Sequence, residues 1–365
     1  MAMMRVVSLF SGGGGLDLGF KAAGYDIIWA IDNEQNAVDT YRANIGNHIL
    51  CEDINLVDIN TIPPADVVIG GPPCQSFSLA GKRNVEDARG RLVWKYISII
   101  DKVKPKAFLF ENVTGLLSAK NSNGEKIIDL LKLAFQQIGY TISIKTVNAA
   151  DYGIPQKRCR VIIVGLKSGD TFVFPDATHE ETGETLLKYV SVKDAIDDLP
   201  KANNDNSFIN YDKEPQTDYQ RQMRTHNGVT EHSIPQMSEL DRYIISHVKP
   251  GGNYMDIPSD VPSKRIRRLQ QEGGHTTCYG RLSPDKPAHT INTYFNRPNV
   301  GCNIHYNEDR LITVREALRL QSFPDSYIIV SSSKQGRNLI VGNAVPPMLA
   351  KVMALELKKY IEGDQ

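Results

Sequence analysis

One cysteine of this chain is placed where a covalent nucleophile is expected. Cys74 lies in the run GGPPCQS (70–76), directly after the apolar segment 65–69. The two prolines fix φ on the approach to Cys74 and so hold its thiol in one direction. Roughly a few per cent of a free thiol is thiolate near neutral pH, and the thiolate is intrinsically very reactive. We therefore expect Cys74 to form a transient covalent bond to a substrate.

The remaining cysteines have no comparable surroundings. The chain has five cysteines in all, widely scattered and never spaced as CxxC. An odd number at such spacing argues against a disulfide framework and against a zinc site. We predict that Cys51, Cys278 and Cys302 behave as small apolar side chains, that Cys159 is structural, and that the protein holds no metal.

A glycine-rich segment near the N-terminus is typical of a cofactor loop. The run FSGGGG (10–15) follows the first predicted strand and opens a helix, so backbone N–H groups can approach a ligand there. The dinucleotide pattern GxGxxG is absent, because Asp17 or Leu18 occupies its third glycine position. This difference favours S-adenosylmethionine over NAD as the cofactor.

Two acidic residues follow later predicted strands. Asp32 comes 20 residues after Gly12, at the end of the second predicted strand. An acidic side chain at that point commonly accepts hydrogen bonds from ribose hydroxyls. Glu34 is the alternative for this role. Asp53 follows the third extended segment and could accept a hydrogen bond from an adenine amino group.

The residue type at position 74 distinguishes two kinds of methyl transfer. Carbon 5 of cytosine becomes nucleophilic only after another nucleophile has added to carbon 6. Enzymes that methylate an exocyclic amino group have no such need, and they can carry an aromatic residue after a similar Pro-Pro pair. A cysteine at position 74 therefore favours methylation of carbon.

The elements that must position these residues alternate between β and α patterns. Strands are predicted at 5–10, 26–31, 65–69, 106–110 and 160–164, and helices at 16–23, 34–44, 92–103 and 126–138. This alternation predicts an α/β domain with a doubly wound parallel sheet. Ligands bind at the carboxyl ends of the strands in such sheets. The predicted cofactor loop and Cys74 both lie at strand ends of this kind.

The second half of the chain differs from the first in composition and has fewer regular patterns. Residues from about Pro175 to Asp218 are acidic and irregular, and the following segment is rich in Pro, Gly, His and Asn. Helical spacing returns at 314–320 and 347–361, and we expect the last helix to pack back on the first domain. The predicted domains are a catalytic and cofactor-binding domain at 1–178, a smaller irregular target-recognition domain at 179–325, and a returning segment at 326–365.

Composition and charge set broad limits. The 365 residues are 41% hydrophobic, and 42 basic residues balance 42 acidic ones. Net charge alone therefore gives no indication of a polyanionic partner. The segment 219–300, however, contains 11 basic residues and only 7 acidic ones. We find no apolar run of about 20 residues and no secretory pattern, which predicts a cytoplasmic protein without a membrane span.

Six segments, in this order, resemble the motifs of the DNA cytosine-5 methyltransferases. They are FSGGGGLDLGF (10–20), GGPPCQSFS (70–78), ENV (111–113), QKRCR (156–160), VREALRLQSFP (314–324) and GNAVPP (342–347). The resemblance covers most of the chain and is highly specific. It implies a doubly wound S-adenosylmethionine-dependent methyltransferase sheet with a smaller target-recognition domain.

The resemblance also implies roles for individual residues. Cys74 would attack carbon 6 of cytosine, and Glu111 would support this attack at N3 of the base. A glutamate in a water-poor pocket can act as a proton donor. Arg160 would contact the base and Arg158 would help to hold the site, and alternation would place both on one face of an extended segment. The target base must leave the duplex, which costs a few kcal/mol.

The implied cofactor contacts form a larger set. They come from the glycine loop, the ends of two strands, the Pro-Pro run and the C-terminal Gly-Asn motif, with one residue packing on the adenine. The residues are Phe10, Ser11, Gly12, Gly14, Leu16, Asp32, Asn33, Asp53, Ile54, Pro72, Leu92, Asn343 and Val345. The family commonly has Glu at the ribose position, whereas this chain has Asp32.

DNA contacts are expected from the loop 76–91, which could close on DNA, and from the basic target-recognition segment. The candidates are Ser76, Arg89, Arg221, Arg224, Lys264, Arg265, Arg267 and Arg268. The predicted partner is double-stranded DNA. We also expect the protein to be a monomer and to be functionally paired with a restriction endonuclease. Two alternatives are a transfer-RNA cytosine-5 methyltransferase and a non-catalytic DNA-binding protein.

Overall fold

The computed structural model describes residues 3–73 and 90–362. Three predicted site residues, Cys74, Ser76 and Arg89, lie outside these ranges, as does nearly all of the predicted lid. The chain forms two compact units. The first comprises 1–148, 159–176 and 347–365, and the second comprises 149–158 and 177–346.

The strands are short in the second unit and longer in the first. In chain order they are β1 Arg5–Leu9, β2 Asp26–Asp32, β3 Ile49–Cys51, β4 Val67–Gly70, β5 Ala107–Val113, β6 Thr141–Asn148, β7 Gln156–Lys157, β8 Cys159–Leu166, β9 His179–Glu180, β10 Leu187–Lys188, β11 Ile209–Asn210, β12 Gly228–Val229, β13 Gly280–Arg281, β14 Ala288–His289 and β15 Cys302–Ile304.

The helices separate these strands and close the chain. They are α1 Gly15–Ala22, α2 Gln35–Asn44, α3 Gly90–Val103, α4 Ile127–Gln137, α5 Val192–Ile196, α6 Asp218–Met223, α7 Glu239–Ser246, α8 Lys264–Glu272, α9 Val314–Leu320, α10 Lys334–Asn343 and α11 Pro347–Glu362. Short 3₁₀ turns occur at Ile59–Thr61, Thr114–Leu117, Ala149–Tyr152 and Tyr254–Asp256.

A seven-stranded sheet in the order β3-β2-β1-β4-β5-β8-β6 forms the first unit. The five strands from β3 to β5 are parallel, and the order reverses at β1 and β4, as in a doubly wound fold. The predicted α/β class is confirmed. The sheet departs from a purely parallel arrangement at β8, which runs antiparallel to both β5 and β6. Residues 149–158, which connect β6 to β8, contain no crossover α-helix, whereas a parallel pair would need such a crossover.

The core of the first unit explains why these segments are strands and helices. All four residues of β4 are buried, and so are the first six residues of β5. Strands covered on both faces are expected to be apolar throughout. Tyr96 on α3 packs edge to face against Phe110 and donates a hydrogen bond to the Leu109 carbonyl at 2.9 Å. The hydroxyl group of this buried tyrosine therefore has a hydrogen-bond partner.

The C-terminal helix, α11, packs against the first helix, α1. A Cβ on Gly19 of α1 would lie 2.3 Å from Cβ of Ala350 on α11, so only glycine permits this approach. Tyr25 donates a hydrogen bond to the Ala354 carbonyl at 3.1 Å. By length and composition alone, the stretch 334–362 is apolar enough to cross a membrane. However, 56% of its apolar window is buried inside the protein, as in a core helix.

The second unit is irregular, with two-stranded sheets and short helices. It includes 149–158 and 326–346, beyond the predicted target-recognition segment 179–325. The functional boundaries stay a prediction, since compactness does not test them. Its centre contains buried charge: Arg319 on α9 is fully buried and pairs with Asp198 at 2.9 Å and Asp325 at 2.6 Å. A buried cation requires such partners, so these acids are needed to keep α9 in place.

Candidate active site

The carboxyl ends of β4 and β5 form the centre of the site. Gly70 and Phe110 are paired in register across the two strands. Beyond them, a Cβ on Gly71 would lie 3.1 Å from Oε2 of Glu111. The side-chain amide of Asn112 donates a hydrogen bond to the Pro72 carbonyl at 2.8 Å. The Pro-Pro run is therefore attached to the strand that carries Glu111, immediately before Cys74 in the sequence.

Glu111 and Arg160 form an ion pair at this edge of the sheet. Arg160 Nε lies 3.0 Å from Glu111 Oε1, and the two side chains are only 13% and 11% exposed. Burial of this extent strengthens the pair and fixes the carboxylate orientation. The antiparallel direction of β8 makes the contact possible, because it pairs Arg160 with Val113 at the carboxyl end of β5. A parallel β8 would begin at the opposite end of the sheet.

Arg158 has a different environment from Arg160. It lies between β7 and β8, is 1% exposed, and belongs to the second unit. Its guanidinium donates hydrogen bonds to the carbonyls of Ile291 at 3.2 Å and Gly342 at 3.0 Å. The strand is interrupted at Arg158, which lies between β7 and β8, and the placement of both arginines on one extended face stays a prediction. These contacts join Arg158 to two other segments of the second unit.

The cysteines of the described ranges differ in exposure. Cys302 is buried, and burial raises the pKa of its thiol to about 12, as expected for an inert side chain. Cys51 and Cys159 are exposed, so the predictions of an apolar environment for Cys51 and of a structural role for Cys159 are not supported. In the described part of the chain, no group of three or more His, Cys, Asp or Glu side chains could hold a metal ion.

The glycine loop is attached to the end of β2. Phe10, Gly12 and Gly14 have φ values of 55°, 55° and 85°, in the left-handed region that glycine adopts readily. The Gly12 N–H donates to Oδ2 of Asp32 at 2.8 Å. A Cβ on Gly12 would meet no atom within 4 Å, whereas one on Gly14 would lie 2.0 Å from Ile45. The loop therefore has open space at Gly12 and is tightly packed at Gly14.

Asp32, and not Glu34, contacts the glycine loop. Besides Gly12, the Asp32 carboxylate accepts the backbone N–H of Glu34 at 3.0 Å. Burial raises the pKa of Asp32, and these backbone hydrogen bonds oppose the shift. Glu34 is exposed and precedes the first turn of α2. Asp32 is thus the acid that a ligand in the loop would meet first.

Asp53 presents a carboxylate after β3. Its Oδ1 accepts hydrogen bonds from the backbone and side-chain nitrogens of Asn55, at 2.9 and 3.0 Å. The side chain is exposed, and Oδ2 has no hydrogen-bond partner in the part of the chain that the structure describes. The fixed Oδ1 orients Oδ2, which can accept a hydrogen bond from a ligand amino group.

The other predicted cofactor residues differ in burial. Ser11, Leu16, Ile54, Pro72 and Val345 are buried, Phe10 and Leu92 are half-buried, and Asn33 and Asn343 are exposed. Ile54, Phe10 and Leu92 belong to or pack against the core of the first unit. Asn343 and Val345 belong to the second unit, at and after the end of α10.

The predicted DNA contacts fall into two groups. Arg224 is engaged inside the second unit: its Nε lies 2.7 Å from Asp198, and its guanidinium stacks 3.8 Å from the Tyr211 ring. These contacts argue against a role for Arg224 at the DNA. Arg221 is exposed and pairs with Asp218 at 2.6 Å. The basic residues of α8, Lys264, Arg265, Arg267 and Arg268, are exposed, whereas Ile266 anchors the helix in the core.

Two supporting residues were missed by the sequence reading. Asn112 holds Pro72, and Tyr41 packs against Gly14. Asn112 lies inside the recognised ENV segment, so its motif could have drawn attention to it. Nothing in the pattern around Tyr41 distinguishes it from an ordinary core tyrosine of an amphipathic helix.

Comparison with known proteins gives a consistent result. The family described as C-5 cytosine-specific DNA methylase matches residues 4–359. The Type II methyltransferase M.NgoFVII of Neisseria gonorrhoeae is 37% identical over 94% of this chain and 83% of that protein. The Type II methyltransferase M1.HphI of Haemophilus parahaemolyticus is 34% identical over 96% of this chain and 86% of that protein.

Solved structures extend the similarity to the fold. A prophage-encoded E. coli protein described as a DNA modification methyltransferase has a TM-score of 0.74 and 25% identity, over 98% of this chain and 99% of that chain. The S. pombe Dnmt2 methyltransferase has a TM-score of 0.61 at 17% identity, over 98% and 99% of the two chains. At that identity the second likeness concerns the fold alone.

Proposed function

Because the chain belongs to the family of C-5 cytosine-specific DNA methylases, we propose that Cys74, Glu111 and Arg160 carry out its reaction. The relatives are Type II methyltransferases, and the chain is accordingly a DNA cytosine-5 methyltransferase of the modification type. The observation that carries the residue assignment is the Glu111–Arg160 pair, 3.0 Å apart beside Gly71. Pro72, which is attached to the same strand end, precedes Cys74 by two residues.

In the proposed mechanism, the target cytosine leaves the duplex and enters the site. The Cys74 thiolate adds to carbon 6 while Glu111 donates a proton to N3, so electron density moves to carbon 5. Arg160 holds the Glu111 carboxyl in place during this step. After carbon 5 has accepted the methyl group, its proton passes to a water molecule that acts as the base, the Cys74 sulfur leaves as the thiolate, and the N3 proton returns to Glu111, so the aromatic ring is restored. When bound, S-adenosylmethionine supplies the methyl group as a sulfonium.

The cofactor assignment is supported by the donor set of the first unit. Methyltransferases of this kind use S-adenosylmethionine in general, and the glycine loop has open space at Gly12 for it. Backbone N–H groups at the start of α1 suit the carboxylate of the amino-acid part. Asp32 would accept from the ribose hydroxyls and Asp53 from the adenine amino group.

Asp53→Asn should weaken S-adenosylmethionine binding by about 10-fold, because a charge-assisted hydrogen bond is worth about 1.5–3 kcal/mol. Asp58→Asn is a matched control. Asp58 holds Asn60 through the same two contacts, at 3.0 and 2.9 Å, that Asp53 makes with Asn55. Calorimetric titration of each variant with S-adenosylmethionine measures the difference. Equal affinities for the two variants would remove Asp53 from the cofactor site.

The partners follow from the same assignment. We propose duplex DNA as the substrate, with α8 and Arg221 supplying contacts to it, and a cognate restriction endonuclease as the functional companion. The exposed face of α8 carries four basic residues against Glu272, which suits phosphate contacts. Ser76, Arg89 and the remaining lid residues retain their proposed roles in DNA binding. We further propose that the protein is a monomer and acts in the cytoplasm.

One assay tests the substrate. The purified protein is incubated with S-adenosylmethionine labelled in the methyl group and either duplex DNA or transfer RNA, and the modified base is mapped by bisulfite sequencing. We expect label at cytosine carbon 5 in one short DNA sequence. Label in transfer RNA alone would favour the RNA alternative, and no transfer to either would favour a non-catalytic DNA-binding protein.

A further inference from the structure

A buried carboxylate lies in the first turn of the helix that the glycine loop opens. Asp17 on α1 is fully buried, and its Oδ1 accepts a hydrogen bond from the Tyr41 hydroxyl at 3.0 Å. Its Oδ2 makes no close hydrogen bond in the described ranges 3–73 and 90–362, and besides Tyr41 only the more loosely placed Ser8 hydroxyl stabilises the charged carboxylate from a side chain. A buried, incompletely paired carboxylate lowers stability, so its presence calls for a function. The proposed reaction does not use Asp17.

Tyr41 connects Asp17 to the loop. A Cβ on Gly14 would lie 3.0 Å from the Tyr41 ring, so the ring supports the loop from α2 while its hydroxyl holds Asp17. The hydroxyls of Ser8 and Ser11, 3.0 Å apart, link β1 to the loop. Loop, ring and carboxylate therefore form one packed group on the first unit.

The Tyr41 hydroxyl also contacts His48, a residue nearer the surface. The hydroxyl oxygen lies 3.0 Å from Nε2 of His48, and the two rings meet edge to face. His48 is half-buried, so the hydrogen bonds run from a partly exposed imidazole to the interior. The Tyr41 hydroxyl has one proton. When Asp17 is ionised, that proton points to Asp17, and the His48 Nε2–H donates to the Tyr41 oxygen.

The two forms of the cofactor that the glycine loop would hold differ in charge. The methyl donor carries a positive sulfonium, whereas the product, S-adenosylhomocysteine, has a neutral thioether. A carboxylate in a low-dielectric interior attracts a nearby cation more strongly than a solvated carboxylate does. We propose that the Asp17 carboxylate, held by Tyr41 beneath the glycine loop, is a positioning group that favours the cationic methyl donor over the product. This inference rests on the proposed use of S-adenosylmethionine.

The preference should depend on pH. Burial raises the pKa of Asp17 to about 6, the hydroxyls of Ser8 and Tyr41 oppose the shift, and Asp32 adds to it. Above pH 6 Asp17 is ionised and the preference is present, and it is lost as the pH falls through about 6. Burial lowers the pKa of His48, with Lys21 acting in the same direction and Asp26 against it.

The test compares two ligands that differ by one methyl group and one charge. The dissociation constants of S-adenosylmethionine and S-adenosylhomocysteine are measured calorimetrically between pH 5.5 and 8, without DNA. For the wild-type protein, we expect the preference for S-adenosylmethionine to fall about threefold from pH 8 to pH 5.5, because roughly a quarter of an Asp17 carboxyl with a pKa of about 6 is still ionised at the lower pH. Asp17→Asn should show the low preference at every pH. Any small dependence that remains is due to Asp32, whose pKa is also raised by burial.

A control and a second variant make the result specific. Asp39→Asn removes a carboxylate from the partly exposed side of α2, where Asp39 pairs with Arg42 at 3.5 Å, and should keep the wild-type preference. Tyr41→Phe keeps the ring and the Asp17 carboxylate but removes the hydrogen bond that stabilises its ionised form. We expect its midpoint to move to higher pH, and this variant decides the question if Asp17→Asn does not fold.

The outcomes separate this inference from the function on which it rests. An unchanged preference in Asp17→Asn, or an unchanged midpoint in Tyr41→Phe, overturns the role of Asp17 while leaving the methyltransferase assignment intact. Failure of the wild-type protein to bind either ligand overturns the proposed cofactor and the inference together. A pH-dependent preference that disappears only in Asp17→Asn and moves in Tyr41→Phe supports it.

Discussion

Cys74→Ala should abolish methyl transfer while DNA binding is largely kept. Without the thiolate, carbon 6 of cytosine receives no nucleophile, and carbon 5 does not become reactive. Removing a covalent nucleophile typically lowers kcat by about 10⁴-fold or more. Transfer of labelled methyl groups to duplex DNA measures the first effect, and a gel-shift titration measures the second.

Cys159→Ala is the matched control for Cys74→Ala. Cys159 is exposed, and only its backbone carbonyl contacts Arg160, at 2.8 Å from Nη1, so alanine preserves this contact. The control should retain wild-type turnover. Substantial turnover in Cys74→Ala would contradict covalent catalysis by this residue.

The covalent bond itself can be trapped. In duplex DNA with 5-fluorocytosine at the target position, the fluorine cannot leave as the C5 proton does, so the Cys74 sulfur should stay bound to carbon 6. Mass spectrometry of the digested protein should find the adduct on the peptide that contains Cys74. An adduct on another residue would replace Cys74 as the nucleophile.

Glu111→Gln should lower kcat by about 10²–10⁴-fold, the usual contribution of a positioned proton donor. Glutamine has nearly the same shape but cannot deliver a proton to N3 of the base, and it also weakens the ion pair with Arg160. Single-turnover methylation rates measure the loss. Affinities for DNA and cofactor should change much less, because the interaction with N3 strengthens mainly as carbon 6 is attacked.

Glu125→Gln is the control for the same chemical change. Glu125 is exposed and accepts a hydrogen bond from Asn121 at 2.7 Å. Its substitution should leave the methylation rate unchanged. A rate loss as large as that of Glu111→Gln would point to a general effect on folding.

Arg160 provides a further check on Glu111. If the two side chains act as a unit, Arg160→Met combined with Glu111→Gln should be little slower than the more damaging single variant. Fully additive losses would mean that the two residues contribute independently, in spite of their 3.0 Å contact.

The first unit was largely predictable because its sequence periodicity is strong. Apolar β4 and β5, and the amphipathic α3 and α4, lie within a few residues of their predicted bounds. The edge strand β6 was not predicted, since only two of its eight residues are buried and its alternation is weak. The direction of β8 was missed as well, because a run of β-branched residues has the same pattern in either direction.

The residues of the candidate site could be identified from the sequence, but the contacts that hold them in place could not. Glu111 and Arg160 were identified from segments that resemble the family's motifs and Asp32 from its spacing after Gly12, and the structure pairs Glu111 with Arg160 and Asp32 with the Gly12 N–H. The contacts of Asn112 with Pro72 and of Tyr41 with Asp17 join residues 40 and 24 positions apart. Such contacts depend on tertiary packing, and local patterns do not contain them.

The division of the chain has a consequence for its synthesis. The polypeptide passes from one compact unit to the other at four places, after residues 148, 158, 176 and 346. During translation, the sheet of the first unit can assemble early, but the face of α1 at Gly19 stays uncovered until α11 has left the ribosome. A nascent chain that stops before residue 347 would therefore expose that face, and a chaperone or a supplied α11 peptide could cover it.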